Sequence, residues 1–366
     1  MILLSLLLAL SCSALQPAAV TQLHNRSQPI APNLLFQPYR TNPPPINFRP
    51  IKPNVYLTTV PNSGLDTISI SNLGRFLLPF NLLAQDLLYA YEGTWNQLVA
   101  ARGRTQTSVR DGVFEQTSTF RAAHSPRSRE AFTLAQLQSI ITILFRFAET
   151  FGSGTRDLHY VYRRGGRAIH VDGYLKLHSS SSSMLTSNST FPSLSPPPNL
   201  PSKSTPLQKT NLTLPNSSPP DPLTLPAHDL LHMHPAATTT FSVYGASIPL
   251  PALAAALMAL YAWGWGLVVQ HRTDDISIGI PADEPLLIHP EIEIDLRADV
   301  GRSGGVKVGQ GGWLPLWVIK SVLMSLLEFG LEWGAREMGV EYEETGDGGR
   351  GCWGYVTRGR GGGGIG

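Results

Sequence analysis

Three carboxylates, Glu291, Glu293 and Asp295, alternate along "EIEIDLR", and a strand there places all three on one face. Paired carboxylates cleave glycosidic bonds when they flank a cleft. Side by side on an edge strand, they keep that face solvated and block further sheet pairing, which is the simpler reading. His228, His232 and His234 crowd into "HDLLHMH". His228 and His232, four residues apart, share a helical face as zinc or copper ligands do. The segment abuts Pro235 and lacks the glutamate of a zinc-protease motif, so it supports weak metal binding at most. "GRSGG", with Ser303 at its centre, has the form of a nucleophile elbow, which requires a helix after it and a histidine downstream. "VKVGQGG" follows instead, and the last histidine is His289. "GRGCWG", Gly349 to Gly354, matches a dinucleotide fingerprint in spacing but leads into the chain end with no room for a βαβ unit. Arg163, Arg164 and Arg167 bracket Gly165 and Gly166. The glycines allow a tight reversal, so a structural hairpin comes first, and a basic loop for an acidic or sulfated glycan second. None of these stretches assigns a catalytic residue, a metal or a cofactor.

Composition narrows the field. The length of 366 residues allows two domains, each able to bury its own core. Only 15% of residues are charged, while 30 Pro and 34 Gly point to linker sequence. A formal net charge of +2 is too balanced to argue for a nucleic-acid partner. The closing "RGRGGGG" resembles an RNA-binding tail, but a disordered terminus over 359–366 is the simpler account.

The start of the chain predicts export. "MILLSLLLAL" is a short apolar run and "CSALQP" offers small residues for cleavage, giving a signal peptide over 1–14. A spanning helix needs about 20 apolar residues. Export would remove Cys12 and leave Cys352 alone, either buried and inert or free for an intermolecular bridge, with burial the simpler reading. A Pro-rich leader, 15–54, carries the sequon at Asn25. A Ser- and Pro-rich linker, 179–237, carries those at Asn188, Asn211 and Asn216. Such a linker buries too little apolar surface to offset its ordering entropy.

Between these lie the elements. "LAQLQSIITILFRFAETFG", Leu134 to Gly152, repeats apolar residues at helical steps, and Thr133 with Gln136 fits a capping box. "LPFNLLAQDLLYAYEGTWNQLVAARG" predicts a second amphipathic helix, with Gln85, Asp86, Glu92 and Asn96 on its polar positions and Arg102 in the last turn before Gly103. "VYLTTV", "DTISIS", "GVFEQTSTFR", "LHYVYRR" and "RAIHVDGYLKL" read as strands. The pattern then recurs. Pro79, Leu83, Leu87, Tyr91 and Trp95 match Pro249, Leu253, Leu257, Tyr261 and Trp265 at a constant offset, and Leu134 to Gly152 matches Leu316 to Gly334. The expected fold is α+β, in two tandem divergent modules, 55–178 and 238–358. Each is a small, mainly antiparallel sheet with two amphipathic helices on one face.

Residues 252–269 are nearly all apolar and long enough to be weighed as a membrane span. The matching helix carries Asp86 and Glu92, which a bilayer would resist, so a core helix is preferred over a membrane partner.

The export signal, "VYLTTVPNSGLDTISI … LPFNLL" and "FTLAQLQSIITILFRF" together resemble a broad group of uncharacterised secreted fungal proteins. In that group the central helix often begins "LTWG"; this chain has "FTLAQLQ" there, with Trp317 near that place in the second copy. The resemblance covers both modules and implies no reaction and no functional residue. The expectation is therefore an exported glycoprotein that binds a glycan or protein outside the cell, or serves as a surface component. An extracellular hydrolase with its site between the modules is the alternative, and a pocket joining the acidic strand to His289 or His170 would favour it. A protein anchored by 252–269 is the third reading.

Overall fold

Strands with every second side chain buried, and helices buried along much of their length, sort this chain into layers. In a computed structural model the described residues are 39–40, 46–61, 63–115, 119–126, 128, 130–165, 168–176, 223–226, 237–280, 285–289, 291–298, 313–344 and 351–359. The structure is mixed α+β, with antiparallel sheets and, among the described residues, four long helices.

The first half runs β1 (Tyr39–Arg40), β2 (Arg49–Lys52), β3 (Val55–Thr59), β4 (Thr67–Ser71), α1 (Phe80–Ala100), β5 (Val113–Glu115), β6 (Phe120–His124), α2 (Leu134–Phe151), β7 (Leu158–Arg164) and β8 (Ala168–Leu175). The second runs β9 (Leu223–Pro226), β10 (Ala237–Ser247), α3 (Leu250–His271), β11 (Ser277–Gly279), β12 (Leu287–Ile288), β13 (Ile292–Ala298), β14 (Trp313–Pro315), α4 (Leu316–Trp333), β15 (Arg336–Glu344) and β16 (Gly351–Arg358). One seven-stranded sheet has the order β2-β3-β4-β7-β8-β6-β5. The other has the order β1-β12-β13-β16-β15-β10-β9, antiparallel except where β1 lies parallel to β12, Tyr39 opposite Leu287. β11 and β14 pair separately.

Each sheet buries one face against helices. Ile68, Ile70, Tyr160 and Val171 point inward from the first sheet, while His159 and Asp172 alternate outward. Phe147 of α2 closes on this face, meeting Phe48 and Tyr56 with ring centroids 5.3 and 5.2 Å apart. In the second sheet Ile294, Val340 and Val356 point inward, and Phe241 meets Phe329 of α4 at 4.7 Å. Truncating one such buried phenylalanine to alanine costs about 3–5 kcal/mol.

The expected capping box is present. The Thr133 hydroxyl accepts the Gln136 N–H at 3.4 Å, and Gln136 Oε1 accepts the Thr133 N–H at 2.9 Å. "GVFEQTSTFR", expected as a single strand, is instead the hairpin β5–β6, with Phe114 opposite Ala122. Three short strands, β1, β2 and β9, lie outside the expected modules, because each finds an unpaired sheet edge. α1 stops at Ala100, so Arg102 falls beyond its last turn, in a left-handed conformation with Gly103 (φ 52° and 70°).

α1 and α3 join the halves. Tyr91 meets Tyr261 at 5.8 Å, and two more contacts are reciprocal, Tyr91 with Trp265 at 6.0 Å and Trp95 with Tyr261 at 5.8 Å. A Cβ on Gly264 would overlap the Trp95 indole, so glycine sets how closely the helices approach. Polar groups are buried here too. Trp95 Nε1 donates to Asp274 at 3.4 Å, Lys320 Nζ donates to Asn96 Oδ1 at 3.1 Å, and Tyr89 donates to Glu328 at 2.9 Å. Lys320 is 0% exposed. Glu92, expected on a polar surface, is also buried, because it lies between Tyr89 and Asn96 on the face of α1 that bonds to Glu328 and Lys320 of α4. Burial and then the Glu328 carboxylate push the Tyr89 hydroxyl up to about 12.

α3 is long and apolar enough to cross a membrane, with a hydropathy of 1.8 over its most apolar stretch, and 72% of that stretch is buried inside the protein. Ala256, the residue expected to match Asp86, is fully buried.

Candidate ligand-binding cavity

A cavity of about 620 Å³ opens beside the first three turns of α2. Ligand sites in proteins commonly span about 300–1,000 Å³. Its floor is the helix face carrying Ala135, Gln138, Ser139, Thr142 and Ile143, and the capping residues Thr133 and Gln136 form its near end. Val60, Pro61, Ser63 and Asp66 come from the turn between β3 and β4, Tyr162 and Arg164 from the end of β7, and Ile46 and Gln106 from flanking loops. Trp265 of α3 completes the wall from the second half.

The hydrogen bonds of the lining decide what it offers a ligand. Gln138 Nε2 donates both to Tyr91 Oη at 2.9 Å and to Thr142 Oγ1 at 3.3 Å. Thr142 donates to the Gln138 carbonyl at 2.9 Å, Ser139 to the Ala135 carbonyl at 2.9 Å, and Ser63 to the Val60 carbonyl at 2.8 Å. These five hydrogens are engaged inside the protein, so the same groups meet a ligand as acceptors. The charged members are engaged as well. Asp66 accepts from the Tyr162 hydroxyl and, at 2.8 Å, from the Gly165 N–H, while Arg164 pairs with Glu130. Burial and Asp66 hold the Tyr162 hydroxyl well above its usual range, so it stays a donor.

Behind this wall sits a histidine pair that the sequence reading did not assemble. His124 and His170 lie with ring centroids 5.8 Å apart. His124 Nε2 lies 3.0 Å from the Ser128 carbonyl, to which it must donate, and His170 Nδ1 lies 2.7 Å from Ser128 Oγ. Ser128 Oγ donates to the Glu130 carbonyl at 3.1 Å, which assigns the proton between Ser128 and His170 to the imidazole. A nucleophilic serine needs the reverse arrangement, with its proton aimed at the histidine. The pair instead ties the loop before α2 to β8. Burial first, then His124 and Arg164, lowers the His170 pKa below 6.5.

The remaining candidates from the sequence do not converge on the cavity. Glu293 and Asp295 alternate on the outer face of β13, with Glu291 just before its first residue, but the strand pairs with β12 on one side and β16 on the other and is not the edge strand expected; Asp295 pairs with Arg297 at 2.7 Å. His289 Nδ1 accepts the Glu291 N–H at 3.3 Å. Neither they nor His170 line the cavity. Arg163 and Arg164 end β7 at the expected hairpin, where Gly165 has φ 59°; Gly166 and Arg167 lie outside the described residues. Gly351 to Gly354 lie in β16, a strand with no helix after it among the described residues. Cys352 is buried, and burial pushes its thiol up to about 12. The signal peptide, the sequons at Asn25, Asn188, Asn211 and Asn216, the histidines His228, His232 and His234, and Ser303 all lie outside the described residues.

One signal for the cavity was present in the sequence. The polar face of α2 runs Gln136, Gln138, Ser139, Thr142 without a charge until Arg146, whereas a solvated helix face normally carries charges early. Trp265 had no such signal, because only the α1–α3 contact brings it there. Comparison with protein-family models, with curated proteins and with solved structures finds no match to this chain.

Proposed function

We propose that this chain is an exported glycoprotein built from two divergent copies of one module, acting by binding rather than by catalysis. Its ligand is a small, uncharged, hydroxyl-rich molecule held in the cavity beside α2. The observation that carries this reading is the hydrogen-bond state of the lining. Gln138, Ser139, Thr142 and Ser63 present acceptors, and the amides of Gln106 and Gln136 stand beside them, a lining that suits the hydroxyls of a sugar or polyol. Trp265 offers an aromatic surface beside them. Asp66 and Arg164 are already engaged, which favours an uncharged ligand over an ion.

Support for two copies comes from connectivity. The strands β3-β4-β7-β8-β6-β5 and β9-β10-β15-β16-β13-β12 occupy the same order in their sheets. A helix follows β4 and β10, and another precedes β7 and β15. Gly173 and Gly354 hold the same place, each opposite a strand whose backbone a Cβ would strike.

Calorimetric titration of the secreted protein with neutral mono- and disaccharides tests the binding reading. Saturable binding that Thr142→Leu abolishes without lowering the unfolding midpoint is expected. Binding unchanged by that substitution, or no binding across the panel, would overturn it. A mass decrease after enzymatic deglycosylation checks the sequons.

The hydrolase alternative draws on the cavity taking walls from both halves, but Asp66, its lining carboxylate, is engaged on both oxygens. Anchoring through 252–269 is the other alternative. Alkaline carbonate extraction separates it: retention in the membrane pellet would favour the anchor.

A further inference from the structure

The outer face of the second sheet carries an aromatic stripe that the cavity does not use. Tyr244 on β10, Tyr355 and Trp353 on β16 are 55%, 45% and 37% exposed. Their rings are in contact, Tyr244 with Tyr355 at 6.4 Å between centroids and Tyr355 with Trp353 at 5.5 Å. Alternation along a strand predicts polar residues on a solvated face, so three touching exposed rings call for a partner.

Three features build the stripe. First, Gly339 lies opposite Tyr355 in the ladder, between it and β10. A Cβ there would meet nothing closer than 3.8 Å, so the backbone does not need glycine. Its bareness lets Tyr244 and Tyr355 touch across β15. Second, the β10 register shifts after Val243, and Glu337 accepts the N–H groups of Ala246 and Arg358, both at 3.0 Å. Those two bonds hold the Glu337 carboxyl below its usual range and pin the irregular strand that carries Tyr244. Third, the Arg297 guanidinium carbon stands 5.5 Å from the Trp353 ring centroid and is itself held by Asp295 at 2.7 Å, which fixes the indole. On the first sheet the corresponding face is different. Lys176 covers the Tyr174 ring at 3.9 Å, and His159 pairs with Asp172 at 2.7 Å.

The charge around the stripe selects the occupant. Glu341 lies opposite Trp353, and Glu293 lies opposite Thr357 two positions beyond Tyr355. With Asp295 and Glu337 also on this face, four carboxylates stand against Arg297 and the Arg358 beside Glu337, so a polyanion is repelled. Exposed rings stack on the apolar faces of sugar rings, and ring faces and carboxylates both attract ammonium groups. We propose that this face docks a polysaccharide strand whose sugars carry free amino groups, stacked along Trp353, Tyr355 and Tyr244 with Glu341 and Glu293 meeting the amines.

The test uses the full-length protein and soluble oligomers of β-1,4-linked glucosamine, with glucose oligomers of the same linkage and an oligouronic acid as comparisons. Binding to the glucosamine oligomer, weakened by added salt and at least about tenfold stronger than to either comparison, is expected. Trp353→Ala and Tyr355→Ala should each weaken it by about tenfold. Gly339→Val fills the gap between the tyrosines at a position that tolerates a side chain, and should do the same with the unfolding midpoint unchanged. Glu341→Gln should lower the salt dependence, and Glu341→Gln with Glu293→Gln should remove most of it. Equal affinity for the glucose oligomer, wild-type affinity in Gly339→Val, or equal binding of oligolysine would each overturn the proposal, the last by showing that charge alone selects the ligand. Thr142→Leu, at the cavity, should leave this binding unchanged, so the two sites succeed or fail separately.

Discussion

Tyr91 and Tyr261 touch edge to face across the seam, 5.8 Å between ring centroids, and each also touches the tryptophan one turn along the other's helix. Each helix thus supplies a tyrosine and, four residues on, a tryptophan to the contact. Gly264 admits Trp95 to this cluster. Gly264→Ala should therefore destabilise the protein by about 1–3 kcal/mol through overpacking, despite alanine's better helix propensity. Guanidinium unfolding followed by tryptophan fluorescence would measure it, and a stabilised variant would contradict the packing described.

The cap of α2 serves both stability and the cavity. Thr133→Ala removes the acceptor for the Gln136 N–H and should cost about 1 kcal/mol. Because Gln136 lines the cavity, the same change should weaken ligand binding, while Thr133→Ser should restore both. Equal unfolding midpoints for Thr133→Ala and the parent would refute the cap's contribution.

Acid should loosen the fold in a defined window. The His170 and His289 pKa values are both lowered from 6.5, chiefly by burial. The unfolded chain therefore binds these protons at a higher pH than the folded chain does. Their contribution is complete above about pH 6.5, is lost as pH falls below it, and levels off under the folded values. Urea midpoints measured from about pH 7.5 down to about pH 5 should fall over that span, and less steeply in His170→Asn. A flat profile in the parent would show that neither histidine is held neutral by the fold.

The Cys352 thiol, buried and raised to about 12, should be inert in the native state. A thiol-specific chromogenic reagent should react with it only after guanidinium is added. Immediate reaction, or a disulfide-linked dimer on a non-reducing gel, would contradict that.

Much of the fold was readable because it is local. The repeating Leu137, Ile140, Ile141, Leu144 and Phe147 require a helix with one buried face, and Thr133 with Gln136 mark its start. Glu92 shows where such reading stops. Its helical phase says surface, and only the second half lying over α1 makes it interior. The division into β5 and β6 escaped because no Gly or Pro interrupts the alternating stretch from Val113 to His124. The cavity was half legible. Gln138 and Thr142 are neighbours on one helix, whereas Tyr162, Asp66 and Trp265 arrive by three separate tertiary contacts.

The parallel pairing of β1 with β12 bears on how the chain is made as well as on how it is held. Tyr39 and Arg40 leave the ribosome long before Leu287 and Ile288, their partners in the ladder, have been synthesised. The first half can collapse on its own sheet while this early strand waits. Loop closure over that distance is slow and entropically costly, so seating β1 belongs to the last steps of folding. Until then the β12 edge of the second sheet stays open to any strand that reaches it, and its own N-terminal segment must outcompete neighbouring chains for the place.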